Sequence, residues 1–368
     1  MNRPSSGELD IKLGRVQALL SRRGLNAVLI QQVANFAWMT AGASSYVNVA
    51  DSLGVASLLV ALHGRYLLTN NIEARRFREE ECLEEQGWEF RVSPWYEAAD
   101  GVAQMTKGLR LGADGFYPGA QDVSADLSRM RMSLVPEEQE RFRELSQGCA
   151  EAMNAAIHQV EPGLTEFEIA AILSREIQRR AILPVVNLVA TDGRIYSYRH
   201  PLPTTKKLER YAMLVACGRK YGLVCSITRL LHFGPMPDEL RRKARAVAEV
   251  DAVYHGMTRP NQSLGEVFRA AQAKYAELGY ADEWQLHHQG GPAGYVPRET
   301  TAILDSDLRI AAGQAYAWNP SITGTKSEDT LLVKTSGVEV LTEISGWPMT
   351  AVELDGQTIW RPATLEIS

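Results

Sequence analysis

Pro162-Gly163-Leu164-Thr165-Glu166-Phe167-Glu168 returns in outline as Pro260-Asn261-Gln262-Ser263-Leu264-Gly265-Glu266. In each stretch a proline ends one helix, a threonine or serine three residues later can cap the next, and a glutamate three residues beyond that can close the cap reciprocally. Bonds of that kind satisfy backbone donors that the first turn of a helix otherwise leaves bare. Each copy follows a long amphipathic pattern and precedes strand-like sequence. The pair predicts a mixed α/β (α+β) domain of two similar helix-helix-sheet halves, with one site where the two sheets meet.

Upstream, the pattern resets between Met130 and Pro136, and Pro136-Glu137-Glu138 opens a long helix with its acids at the positive end of the dipole. This places a domain boundary at Leu134, giving domains 1–134 and 135–368. In the first of them Leu13, Val16 and Leu20 recur at helical spacing up to Gly24, and Ala27-Val28-Leu29-Ile30 reads as a buried strand. The run Val55 to Leu62 turns at His63-Gly64-Arg65 into Tyr66-Leu67-Leu68-Thr69, a hairpin signal.

With 368 residues, 45% of them hydrophobic, the chain exceeds the usual single-domain size and can bury two cores. Its formal net charge is -5 and its isoelectric point about 5.9. Lys and Arg are dispersed, which leaves no basic face for nucleic acid and no polybasic anchor for a membrane. No apolar run approaches the roughly 20 residues of a membrane span, and Met1-Asn2-Arg3-Pro4-Ser5-Ser6 leads into a polar helix rather than a secretory segment. A cytoplasmic chain with a small-molecule partner is expected. Cys82, Cys149, Cys217 and Cys225 lack CxxC spacing, which predicts reduced, buried thiols.

Four further landmarks fall in the second domain. They are Tyr198-Arg199-His200-Pro201-Leu202-Pro203, then Gly222-Leu223-Val224-Cys225-Ser226-Ile227-Thr228-Arg229, then His287-His288-Gln289-Gly290-Gly291-Pro292-Ala293-Gly294 with Arg298-Glu299, and finally Trp318-Asn319-Pro320 with Ser327-Glu328-Asp329-Thr330. In order and spacing they resemble the pita-bread fold of methionine aminopeptidase, Xaa-Pro aminopeptidase, prolidase and creatinase. That family has a substrate-binding His followed by Pro, a Gly-Tyr-x-Ser-Asp-Ile-Thr-Arg strand, a Gly-His-Gly-Ile-Gly loop with His-Glu, and Glu-Pro-Gly with Ile-Glu-Asp-Thr. The first domain resembles the smaller domain of creatinase and Xaa-Pro aminopeptidase, so the likeness covers nearly the whole chain.

The departures bear on chemistry. The family's peptidases hold two divalent ions with two Asp, one His and two Glu. Here the first Asp falls on Ala216 or Cys217, the second on Ser226, the His on Gly291 and the first Glu on Asn319, so that Glu328 alone survives. One carboxylate with an amide and a hydroxyl cannot neutralise and bridge two hard cations, and the expectation is no metal and no other cofactor. A shifted register would put His288 at the metal His and Cys217 in place as a thiolate, yet Ser226 and Asn319 would still leave the second ion unsupported. Creatinase works without metal and carries Arg-Glu where the peptidases have His-Glu, as Arg298-Glu299 does here, and the resemblance implies a proton-moving role for His200. Two carboxylates that hold the guanidinium in creatinase would fall on Thr228 and Asn319, which argues against creatine itself.

His200 is thus the expected acid/base, helped by His287 or His288, which flank a turn where Gly291 and Gly294 admit a ligand close to the backbone. Glu328 is read either as a general base or as part of a network with Lys326 and Asp329. Arg194, Arg229 and Arg298 compete for a bidentate hold on a substrate carboxylate. Glu299, Tyr198, His232 and Asn319 complete the expected binding residues, with Trp318 as a pocket wall. The reading is a metal-independent, creatinase-like enzyme that hydrolyses or eliminates at a C–N or similar bond of a small, carboxylated, amino-acid-like substrate. The alternatives are a non-catalytic pita-bread binding protein and a metal-dependent Xaa-Pro aminopeptidase or dipeptidase on peptide-like substrates. The resemblance also implies a homodimer.

Overall fold

The computed structural model describes residues 6–368, and the polar start expected at Met1 to Ser5 lies outside the described residues. The chain divides into two compact units, one running to Glu138 with Tyr221–Leu223, the other comprising Gln139–Lys220 and Val224–Ser368. The division falls just beyond the expected Leu134, within the helix Pro136–Ile157. Among the described residues no helix is long and apolar enough to cross a membrane. All four cysteines are free thiols, Cys82 half-buried and the others buried.

The first unit is built on a six-stranded sheet in the order Glu89–Ser93, Gly64–Asn70, Leu53–Ala61, Ala27–Gln32, Leu111–Ala113, Gln121–Asp122. Leu53–Ala61 and Gly64–Asn70 form the hairpin read from the sequence, with Ala61 opposite Gly64. The amphipathic helix Ser6–Arg23 buries Val16, Leu19 and Leu20. It also buries Lys12, whose ammonium lies 2.6 Å from Glu8 and 2.8 Å from Glu138. A buried ammonium without such partners would be strongly destabilising.

The second unit has the repeated plan. Its first half runs through the helices Pro136–Ile157 and Glu166–Gln178 to the strands Leu183–Thr191, Tyr211–Lys220 and Leu223–Phe233. The second half repeats this with Asp238–Met257 and Leu264–Glu277, followed by the sheet Gly290–Ala293, Ala315–Trp318, Asp329–Val333, Val338–Val340. Both second helices start with a complete capping box, Thr165 with Glu168 and Ser263 with Glu266. The halves join where Thr228 bridges Glu328 and where the Val224 N–H donates to the Gly294 carbonyl at 2.8 Å. That seam carries Ser226, Thr228, Arg298 and Glu328.

Candidate active site

Strand alternation sorts the seam's side chains into two populations. On Leu223–Phe233, Ser226 and Thr228 face one side and Arg229 the other. The Thr228 hydroxyl donates to Glu328 Oε2 at 2.6 Å. Lys326 Nζ approaches the same oxygen at 2.7 Å, and Arg298 Nη2 reaches Oε1 at 2.8 Å. Burial opposes charge on Glu328, but the Lys326 ammonium and the Arg298 guanidinium outweigh it and hold the carboxyl well below the usual range. With both oxygens committed to cations, Glu328 is not the general base expected as one of its two roles. It belongs to a network, though with Arg298 and Lys326 rather than with Asp329.

Three imidazoles converge beside this triad. His200 Nε2 lies 3.1 Å from His287 Nε2, and one ring nitrogen from each of His200, His287 and His288 falls within a 4.8 Å span. His287 is buried, while His200 and His288 are exposed. Burial, then the Lys326 ammonium, pull His200 below its ordinary value. The same causes in the same order take His287 down to about 2. For His288, burial and then Arg298 give about 4. All three rings are therefore neutral near neutral pH.

Long-range clamps bring these loops together. Arg199 Nη2 pairs with Glu283 at 2.7 Å and with the Thr323 hydroxyl at 2.9 Å, tying the residue before His200 to the turn that precedes His287. The loop bearing His200 is held by two carboxylates. Asp192 accepts backbone N–H groups from Glu209, Arg210 and Tyr211, and the buried Glu166 accepts from the backbone and hydroxyl of both Thr191 and Thr204.

Several expected site residues are employed elsewhere. Arg194 is bound to Glu166 and lies over the Tyr198 ring, so both serve the loop's structure. Arg229, 2% exposed, pairs with Asp329 at 2.8 Å on the far side of the sheet. There Arg361 bridges Asp329 and Asp251. His232 is buried, with Nδ1 2.9 Å from the Gly234 carbonyl. Trp318 is not a pocket wall. It is fully buried, stacks on Tyr254 at 4.4 Å and donates to the Thr258 hydroxyl, which puts it in the core under the second pair of helices. Glu299 accepts the Tyr295 N–H at 3.0 Å and closes its own turn. Arg298 remains at the site, and Asn319 holds a buried Oδ1 without a hydrogen-bond partner.

The residues present do not fit two divalent ions. Of the two positions offered for the first Asp, Cys217 is the one beside the site, 3.2 Å from the Ser226 hydroxyl. Burial pushes its thiol up to about 11, so it is not a standing anion beside Ser226. Arg298 Nη1 takes up Ser226 at 3.1 Å. Gly291, at φ +155, has no room even for a methyl group, since a Cβ there would lie 2.4 Å from the Thr300 carbonyl oxygen. Lys326 and Arg298 both pair with Glu328, the one carboxylate that the resemblance leaves at a ligand position. The sequence reading placed Lys326 with Glu328 but missed the Arg298 contact and the meeting of all three imidazoles. Both join residues far apart in the chain, and Arg199 ties the His200 loop to Glu283.

Residues 140–335 match the family model described as metallopeptidase family M24. The Xaa-Pro dipeptidase of Pyrococcus horikoshii is 21% identical over 355 residues, covering 91% of this chain and 97% of that protein. Among solved structures, the prolidase from Pyrococcus horikoshii OT3 superposes with a TM-score of 0.79 at 19% identity, over 91% of this chain and 98% of its own. The N-terminal domain of FACT complex subunit SPT16 from Cicer arietinum superposes with a TM-score of 0.68 at 12% identity, over 92% and 97%. The fold is shared across proteins of quite different description, so chemistry has to be argued from the side chains.

Proposed function

The chain belongs to metallopeptidase family M24, and from that membership we propose that it is a hydrolase that cleaves a C–N bond of a small, carboxylated, amino-acid-like or peptide-like substrate without the family's pair of metal ions. The observation that carries this reading is the saturation of Glu328 by Lys326 and Arg298. Two fixed cations against one carboxylate leave a net charge of +1 (two minus one) beside three neutral imidazoles. Such a surface favours a substrate carboxylate or a developing oxyanion and disfavours a guanidinium.

His200 is the proton carrier. It is the partly exposed member of the close imidazole pair and sits within electrostatic reach of Lys326, Glu328 and Arg298. Its neutral ring takes a proton from the attacking water as the water oxygen bonds to the carbon of the C–N bond. The imidazolium then returns that proton to the leaving nitrogen, so that water is divided between the two products and the ring ends neutral. The buried His287 orients the His200 ring through the 3.1 Å contact, and Arg298 with Lys326 stabilises negative charge on the oxygen side.

The test uses chelator-treated protein against a panel of small carboxylated amines and Xaa-Pro dipeptides. Turnover is expected without added metal, and His200→Ala should abolish it while leaving the melting temperature nearly unchanged. Activity that survives the substitution removes His200 from the mechanism. Activity that appears only on adding Mn²⁺ or Co²⁺ returns the chain to metal-dependent hydrolysis.

A further inference from the structure

We propose that His200, His287 and His288 form a binding site for one divalent transition-metal ion of the Zn²⁺ type, and that the ion inhibits the hydrolase by occupying the imidazoles its chemistry needs. Binding stands on the side-chain geometry alone, whereas inhibition rests on the proton-carrier role given to His200 above.

Three imidazoles that bind one tetrahedral zinc at the usual metal–nitrogen distance stand roughly 3.4 Å apart, nitrogen to nitrogen. His200 and His287 already lie 3.1 Å apart, and the donor atoms of the trio span no more than 4.8 Å. The ring centroids are separated by 4.9, 5.6 and 4.7 Å with interplanar angles of 73°, 38° and 48°, so the rings are close and mutually tilted instead of stacked. Rotation of the exposed His288 ring closes the remaining gap. The buried His287 provides the fixed corner. Its backbone carbonyl takes the Gln289 side-chain amide at 2.7 Å, and Gln289 Oε1 in turn accepts from Tyr275. Its Nδ1 stands 3.5 Å from the Ser321 hydroxyl, which leaves Nε2 facing the trio. The open side of a three-imidazole site remains available to water or to a ligand.

The donor set also fixes the class of ion. Imidazole nitrogen suits zinc, cobalt, nickel and copper, whereas magnesium and manganese favour carboxylate oxygen. The nearby carboxylate, Glu328, has both oxygens engaged. The uncompensated positive charge beside the trio weakens the hold on a cation, so the ion exchanges readily, which suits reversible inhibition. Coordination takes the lone pair through which His200 accepts a proton, and bound metal and catalysis by His200 exclude each other.

The experiment titrates the chelator-stripped full chain with Co²⁺, following the visible bands of four-coordinate cobalt, and with Zn²⁺ by calorimetry. One ion per chain is expected, with Mg²⁺ and Mn²⁺ failing to compete. His287→Ala and, because His287 is buried, the exposed His288→Asn should each weaken binding by at least about 10-fold. Absence of binding, unchanged affinity in both variants, or two ions per chain would overturn the site. Stripped protein that turns over but binds no ion sinks this inference and leaves the proposed function standing. Stripped protein that binds one ion but never turns over sinks the proposed function and leaves the site. Turnover that is insensitive to saturating Zn²⁺ overturns the inhibition.

Discussion

Glu166 and Glu328 are both buried glutamates held ionised by their neighbours, yet they do different work. Glu328 lies among the site cations, whereas Glu166 secures the loop that presents His200 through Thr191, Thr204 and Arg194. Burial raises the Glu166 pKa, and those donors outweigh it to leave the carboxyl below its ordinary value. A carboxyl lowered in the folded state contributes stability above its unfolded pKa and loses it as pH falls through the folded one. Stability should therefore decline below about pH 4.5. Glu166→Gln should be less stable at neutral pH and show a shallower acid decline, read from urea denaturation at a series of pH values. An equal decline in both proteins would remove Glu166 from the acid response. At this scale the sequence shows Ser226, Gly291 and Asn319 where the resemblance puts an Asp, a His and a Glu. It does not show which side chains meet there, because the Arg298 to Glu328 pair joins residues 30 apart, and Arg199 to Glu283 residues 84 apart.

Local rules decide the elements. Both capping boxes were legible because each needs only four consecutive residues, and the helices Glu166–Gln178 and Leu264–Glu277 begin where the boxes place them. Thr165→Ala and Ser263→Ala should each cost about 1 kcal/mol in denaturant unfolding. An effect near zero for either would mean that packing, with Leu173 and Ile177 on one helix and Phe268 and Tyr275 on the other, holds that helix without its cap. Trp318 ends the strand Ala315–Trp318 and turns into the core under the second pair of helices, while its neighbour Asn319 lies just past the strand end. Strand parity also divides neighbouring residues between the two faces of a sheet. Glu328 and Asp329 divide in this way, the first toward Lys326 and the second toward Arg229 and Arg361. Applied to Thr228 and Arg229, the rule would have excluded Arg229 from the site.

Across the whole molecule, the order of landmarks was enough for the resemblance to a known fold, whose two sheets meet here with Thr228 against Glu328. Chemistry is less robust than fold, since side chains at that seam can be exchanged while the backbone pairing around it persists. The consequence can be read in stability. An ion that binds only the folded chain raises stability by about 2.7 kcal/mol when present at a hundred times its dissociation constant, so a working two-metal centre shows a clear thermal shift. Millimolar Mn²⁺ should leave the melting temperature of this protein unchanged, and plasma mass spectrometry of protein purified with Mn²⁺ present should find no stoichiometric manganese. Two manganese ions per chain with a raised melting temperature would mean that the family's centre survives in another register and that peptide hydrolysis proceeds through it. A shift produced by Zn²⁺ but not by Mn²⁺, and lost in His288→Asn, belongs to the three imidazoles instead. The two metals thus separate an inherited site from a new one in a single set of melts, because carboxylate oxygen and imidazole nitrogen select different ions.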